Sequence, residues 1–136
     1  MSRRCSRTTA FNTYGLKLKN VRHSLSALCE QRRKVAISLW QDEFSGNQGH
    51  MIYERPSWGD WYDGPGRREF FHHLSWARDN RNGIVDIVIC IRRRAEGGHV
   101  LTDSFARPGL VMQIRHLDPS TGAFRLEQVV PDKQAA

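Results

Sequence analysis

Apolar side chains recur at every second position in two neighbouring segments near the start of the chain. Residues 24–30 and 34–41 both show this alternation, and the polar residues 31–33 separate them. A period of two is that of a β-strand with one buried face. The pattern therefore predicts a β-hairpin whose turn contains Arg32 and Arg33.

A second alternating pair lies near the end of the chain, over Leu110–Leu117 and Ala123–Val130. The residues between them, 118–122, begin with Asp-Pro and end with Gly, a composition typical of a tight turn. Phe124 and Leu126 fall on one face of the second segment, with polar residues on the other. We expect a second hairpin with one wet face.

The middle of the chain changes to a helical period. Phe70, Phe71, Leu74 and Ala77 recur three and four residues apart, which predicts a helix over Arg67–Arg81. The next segment, Ile84–Ile91, is apolar at both phases except for Asp86, and such a pattern indicates a central strand covered on both faces. We expect Arg92–Arg94 to end this strand in solvent.

Two stretches favour loops. Residues 44–66 contain five glycines and two prolines, with a candidate short strand at His50–Glu54. Residues 95–109 contain Gly97-Gly98 and Arg107-Pro108-Gly109, so we expect a short helical turn there at most.

Together these elements predict an α+β fold. Its sheet, mixed or antiparallel, is built from two β-hairpins and a central strand, and one main α-helix (about 67–81) packs on a face. We expect a disordered basic arm at 1–12, a single domain at 13–130 and a frayed tail at 131–136. The element order resembles that of small β-rich nucleic-acid readers of the PUA type, a likeness of architecture without a shared residue motif.

Charge changes the picture because it is regional. Residues 1–34 hold nine Lys/Arg against one acid, Glu30, in a chain whose formal net charge is +7. A clustered positive field neutralises several phosphates at once and releases their counterions. We therefore expect a small nucleic-acid-binding domain, whose phosphate contacts come from Arg3, Arg4, Arg7, Lys17, Lys19, Arg32, Arg33, Lys34, Arg92, Arg93 and Arg94.

An aromatic loop is the second candidate feature. Trp58, Trp61 and Tyr62 follow Tyr53 within ten residues, in a glycine-rich segment beside cationic ones. Such rings stack on unpaired bases, each contact contributing about 1–3 kcal/mol. The alternative is a lid on the core, in which Trp61 packs against Trp76 on the far side of the predicted helix.

Two other function classes remain open. Arg and aromatic residues also anchor protein interfaces, so the chain could be an interaction module or inhibitor that acts on a nucleic-acid enzyme such as a bacterial defence complex. A metal-dependent nuclease would draw on the scattered acids and histidines, but no metal-site motif is present, so we assign no catalytic residue, metal or cofactor. The candidates for that alternative are Asp60, Asp63, Glu69, His72, His73 and Asp86.

Location and partners follow from composition. No apolar run reaches the length of a membrane span, and no apolar segment follows the basic N-terminal residues. We therefore expect a cytoplasmic protein whose partner is DNA, RNA or a nucleic-acid-processing protein, with no membrane contact. Its oligomeric state is not predicted.

Overall fold

A computed structural model describes residues 6–59, 61–96 and 98–130, except for the side chains of residues 94, 95 and 99. This part of the chain forms an α+β fold with two helices, one short 3-10 turn and seven strands. The helices are α1 (Arg7–Thr13) and α2 (Pro65–Asn80), and the 3-10 turn is Gln41–Glu43. The strands are β1 (Ser26–Cys29), β2 (Lys34–Trp40), β3 (Phe44–Asn47), β4 (His50–Arg55), β5 (Ile84–Ala95), β6 (Gly98–Asp118) and β7 (Ala123–Val129).

All seven strands belong to one mixed sheet with the order β1-β2-β5-β6-β7-β4-β3. The β2–β5 pair is parallel, with Ile37 opposite Ile87, and the other neighbours are antiparallel. A parallel pair needs a long crossover, and here the crossover contains β3, β4 and α2. Both β2 and β5 lie inside the sheet and run in the same direction, and β5 continues to Ala95 beyond its last pair with β2, Trp40 opposite Cys90.

Each face of the sheet has its own apolar core. Helix α2 covers one face with Phe70, Phe71 and Leu74, which pack against alternate residues of β2, β4, β5, β6 and β7. Helix α1 covers the opposite face, where Phe11 packs near Val88 and Cys90. Strand β5 is thus buried on both sides, as its continuous apolar run indicates.

Helix α1 corrects the prediction of a disordered arm at 1–12. The side chain of Ser6 accepts a hydrogen bond from the Thr9 backbone N–H and caps the helix. Phe11 is 0% exposed. It packs on the second face of the sheet, which α2 alone would leave in water. Residues 1–5 and the predicted tail at 131–136 lie outside the described residues.

The segments expected to be loops contain more strand than their composition suggests. Strand β5 continues through Arg92–Arg94 to Ala95 and pairs with β6, which begins at Gly98, so the arginines do not end the strand. The candidate strand at His50–Glu54 is present as β4, which pairs with β7 through Tyr53 opposite Leu126, and β3 is an additional strand in this segment. Ladder hydrogen bonds to a partner strand outweigh the weak local propensity of these residues.

The sheet also curls. Strands β2 and β4 are not neighbours in the sheet, yet the backbone N–H of Trp40 at the end of β2 donates to the hydroxyl of Tyr53 on β4, at 3.5 Å. The curl leaves a gap between these two strands, lined by residues from both faces of the sheet.

Candidate functional site

The gap between the end of β2 and β4 is a cleft of about 250 Å³. It opens at the carboxyl end of β2, beside the part of β5 that contains Cys90 and Arg92. Its walls are mainly aromatic and cationic, with Leu25, Ser38, Leu39, Cys90 and Leu101 completing the lining. The rings belong to Trp40, Tyr53, Trp61, Phe70 and Phe124, and the guanidinium groups to Arg7, Arg55 and Arg92.

Tyr53 fixes one wall. Its ring lies edge-on to Phe44 at 5.0 Å and stacks on Phe124 at 6.0 Å, between centroids. Its hydroxyl donates to the Glu43 carboxylate. Desolvation by burial, followed by the hydrogen bond to Glu43, raises the pKa of Tyr53 well above its usual value. The hydroxyl is therefore neutral, and its hydrogen is already used.

Arg55 lies beside Tyr53 at the end of β4. Its Nη1 contacts a Glu43 carboxylate oxygen at 3.4 Å, and its Nη2 donates to the Trp58 carbonyl at 3.2 Å. The Nε of Arg55 is buried and has no hydrogen-bond partner among the described residues. A buried donor without an acceptor costs about 1–3 kcal/mol, so this atom is unusual in a well-packed wall.

Arg92 forms the opposite wall together with Trp40. Its guanidinium carbon lies 4.5 Å from the centre of the Trp40 ring, a cation–π contact. Its Nε and Nη2 each donate to Asp42 at 3.0 Å, and Nη2 also reaches Glu43 at 3.3 Å. These contacts hold the guanidinium plane against the indole.

The tryptophan loop is anchored to the core rather than projecting from it. Trp61 packs on Phe70 at 5.2 Å and on Phe71 at 5.6 Å, between ring centroids, and it also lines the cleft. Trp58 lies edge-on to Phe71 at 6.3 Å, with the Arg67 guanidinium 4.1 Å from its ring centre.

The lid interpretation of the sequence predicted that Trp61 would pack against Trp76, but Trp61 packs against other rings. The ring partners of Trp61 are Phe70 and Phe71, and Trp76 packs against the α2 core as a half-buried residue. Tyr62 is 80% exposed. The loop is therefore a lid whose Trp61 also faces the cleft, while Tyr62 is open to solvent.

Five of the cations predicted to contact phosphate have partners inside the molecule. Arg7 donates to the Ser24 carbonyl at 3.0 Å, and Arg92 is held by two carboxylates. The remaining three are Arg32 on the Tyr14 carbonyl, Arg33 on the Asn80 carbonyl and Lys34 beside Asp86.

Three predicted phosphate-binding residues stay available. Lys17, Lys19 and Arg93 are exposed, and their side chains form no hydrogen bond or ion pair within the described part of the chain. Arg3, Arg4 and the side chain of Arg94 lie outside the described residues.

Lys19 borders a second, open groove of about 630 Å³ at the start of α2, lined also by His23, Arg68 and His72. His73 is 8% exposed, and its Nδ1 is 2.7 Å from the Ser26 hydroxyl. Burial, with smaller contributions from His72 and Lys19, lowers the pKa of His73 to about 4. His73 is therefore neutral near pH 7, and the charged side chains that line the groove are Lys19 and Arg68 together with Glu30 and Glu69.

The residues weighed for a nuclease are dispersed. Asp63 pairs with Arg67 at 2.9 Å, and Asp86 faces Lys34 at 3.9 Å on another strand. Burial raises the pKa of Asp86. Among the described residues no group of three or more His, Cys, Asp or Glu side chains is placed to hold a metal ion. Asp60 lies outside them.

Of the predicted site residues within the described part of the chain, only Arg7, Trp61 and Arg92 line the cleft; Trp40, Tyr53 and Arg55 are among the lining residues that the sequence-based site missed. Arg55 carried a signal, because it is the sole Lys or Arg between residues 35 and 66. Trp40 continues the alternation of β2 and carries no comparable signal. Their approach depends on the curl of the sheet, which no local pattern contains.

Within the described part of the chain, neither helix has the length and apolar character needed to cross a bilayer. Comparisons with protein-family models, curated proteins and solved structures find no match to this chain. Any function of the cleft therefore has to be inferred from its own residues and geometry.

Proposed function

We propose that this protein binds single-stranded nucleic acid, with an unpaired base entering the cleft between Trp40 and Trp61. One observation carries the proposal: the cleft combines aromatic walls with the guanidinium groups of Arg55 and Arg92. Apolar rings with a few convergent polar groups are typical of small-ligand sites. Rings beside cations are the means by which proteins hold bases that have left a stack.

The strand must be unpaired because a base in a duplex shows only its edge. Entry of a whole base between ring walls requires that the base be single-stranded or extruded, and extrusion costs a few kcal/mol. Single strands avoid that cost. We therefore expect weaker binding to a duplex than to a single strand of the same length.

Backbone contacts would come from the three available cations. Arg93 follows the cleft residue Arg92 along β5. Lys19 lines the groove that includes Ser24, and the Ser24 carbonyl is bound by the cleft residue Arg7. The cleft and the groove thus border the same segment, and a strand leaving the cleft can pass from one to the other.

This arrangement limits the salt dependence. Three phosphate contacts from the described residues contribute about −2 to the log–log slope on a single strand, since each contributes about −0.7. The steeper slope implied by eleven cations is not expected, because several of them are hydrogen-bonded inside the fold.

Fluorescence anisotropy with labelled 12-nucleotide single strands and duplexes, from low to moderate salt, tests the proposal. The variant with Lys17→Gln and Lys19→Gln should reduce the slope by about 1.4. Arg78→Gln is the control for loss of one exposed cation, because Arg78 is an exposed arginine of α2 paired with Asp79. No binding at low salt, or the same change in slope per charge removed in the control, would refute the proposal.

A protein-interaction module is the second candidate. Val100 and Leu101 on the β5–β6 ribbon are 42% and 40% exposed, and apolar residues exposed together are often interface residues. Pull-down from a nuclease-treated lysate separates the two candidates. Capture that survives digestion and is lost with Leu101→Ser would favour this second one.

A further inference from the structure

We infer, building on the proposed function, that Arg67 is a positioning residue of the base site. It is not among the described residues that line the cleft, and it acts by holding Trp61 as the wall on which the base stacks. The inference rests on the contacts that one buried guanidinium forms with the loop that carries Trp61.

The side-chain contacts of Trp61 do not by themselves fix the position of its ring. The ring packs on Phe70 and Phe71, and the Arg55 guanidinium carbon lies 5.5 Å from the ring centre. Apolar packing is non-directional, so a ring held by packing alone is free to slide or tilt. The backbone N–H of Trp61 donates to the Trp58 carbonyl at 3.0 Å, but this bond lies within the loop itself. A directional contact from a regular element is therefore what fixes the wall.

Arg67 supplies that contact, and it uses both the edge and the face of its guanidinium. Its Nη1 donates to the Trp61 carbonyl at 2.9 Å, and its Nη2 lies 2.9 Å from an Asp63 carboxylate oxygen. Its guanidinium carbon lies 4.1 Å from the centre of the Trp58 ring. A planar guanidinium binds acceptors in its plane while it stacks on an indole, and a lysine ammonium cannot do both. The side chain of Arg67 is 13% exposed, so water competes little for these contacts.

The first turn of α2 determines where Arg67 lies. Pro65 is the first residue of the helix, where its fixed φ favours the helical conformation. Gly66 packs directly on the His23 carbonyl oxygen, which leaves no room for a Cβ atom. The start of α2 is thus held against its neighbours, and Arg67 extends from a rigid part of the fold to the Trp61 loop.

A phosphate contact is the alternative role for a cation near the base site. The two terminal nitrogens of Arg67 are already bound to the Trp61 carbonyl and to Asp63, whereas Lys19 and Arg93 have no such partners in the described part of the chain. The two roles differ in the part of the strand that they affect. A phosphate contact acts on every strand alike, and positioning through Trp61 acts only on a strand that carries bases.

Two 12-nucleotide strands of equal charge separate these roles, one made of thymidine and the other of abasic sites throughout. Fluorescence anisotropy at moderate salt gives the ratio of the two affinities. We expect Arg67→Gln to lower the preference for the thymidine strand about 3- to 10-fold, because part of one stacking contact is lost. Its affinity for the abasic strand should change by less than about twofold, since the phosphate contacts remain.

The effect of Arg67 should pass through Trp61. In the Trp61→Ala protein, Arg67→Gln should lower the preference for thymidine by less than about twofold further, because the wall is already missing. Arg68→Gln is the matched control. Arg68 is the next residue and also pairs with Asp63, at 3.3 Å, but its side chain has no hydrogen bond or ion pair with Trp58 or Trp61 among the described residues. Any effect of this control should be equal for the two strands.

A spectroscopic signature of the ring tests the same inference without a ligand. 5-Fluorotryptophan labels each of the four tryptophans, and Trp61→Phe identifies the fluorine resonance of Trp61. We expect Arg67→Gln to shift this resonance and to leave that of Trp40, on the opposite wall, in place. If a thermal melt shows that Arg67→Gln does not fold, Arg67→Lys replaces it with the same expected results, because lysine keeps the charge and lacks the planar fork.

Equal weakening of both strands by Arg67→Gln would overturn the inference and make Arg67 a phosphate contact. An unmoved Trp61 resonance, or a full effect of Arg67→Gln in the Trp61→Ala protein, would overturn it as well. Equal affinity of the unaltered protein for the two strands would instead refute the entry of a base proposed above. In that case a Trp61 resonance that Arg67→Gln shifts would still support the hold of Arg67 on the ring.

Discussion

Replacing Trp61 separates a structural role of the aromatic loop from a binding role. Trp61 is half-buried and packs on Phe70 and Phe71. Removal of a fully buried tryptophan costs about 3–5 kcal/mol, so Trp61→Ala should lower the free energy of unfolding by about 2 kcal/mol. For a chain of this length that corresponds to a fall in Tm of about 6–10 °C. Thermal melts followed by circular dichroism measure it.

The same loop supplies the control. Tyr62 is the next residue and is 80% exposed, so Tyr62→Ala should change the free energy of unfolding by less than about 0.5 kcal/mol. At a temperature where all variants are folded, Trp61→Ala should weaken binding of a single strand about 5- to 150-fold. An unchanged Tm for Trp61→Ala would show that the lid does not form. Normal binding by the folded variant would remove Trp61 from the base site.

Three further substitutions or conditions test the surrounding structure. Gly122 has a φ of +82° and packs against the Trp58 indole. Gly122→Ala should therefore lower the free energy of unfolding, measured by urea titration, by about 2–4 kcal/mol. An unchanged free energy of unfolding would contradict the packing of this turn. His73 has a pKa of about 4 in the folded protein and about 6.5 in the unfolded chain. As the pH falls, the unfolded chain therefore binds a proton before the folded protein does. The free energy of unfolding should be about 2 kcal/mol lower at pH 5 than at pH 7.5. His73→Gln should abolish that part of the pH dependence, and an unchanged profile would refute the neutral buried imidazole. The Tyr14 hydroxyl, whose pKa is raised by burial to about 12, donates to the Ile87 carbonyl at 2.6 Å. Tyr14→Phe should lower the free energy of unfolding by about 1–2 kcal/mol in the same titrations. A higher free energy of unfolding would contradict that hydrogen bond.

Local periodicity determined the parts of the fold that a single element can encode. Phe70, Phe71, Leu74 and Ala77 share a helical face, and they are the buried residues through which α2 packs on the sheet. The apolar run of β5 predicted that this strand is buried on both faces, as the two core clusters show. These features are readable from sequence because spacing alone places side chains on a common face.

Helix α1 and the β5–β6 ribbon could not be read in this way. In α1 only Ala10 and Phe11 are buried, which is too few for a visible period. Its position depends on the open second face of the sheet. The ribbon through Arg92–Arg94 depends on pairing with the first half of β6, residues 98–109, which offered no strand signal of its own, whereas the second half was predicted from its alternation.

The sequence by itself determined an α+β class, the main helix, the central strand and a supply of clustered cations and rings. The tertiary structure alone decided how those groups are used. It bound Arg32, Arg33 and Lys34 to partners within the fold and brought Trp40 close to Tyr53 and Arg55 across the curl of the sheet. The physical reason is that spacing along a chain fixes which face a side chain occupies, whereas the approach of non-adjacent strands depends on the twist and closure of the whole sheet.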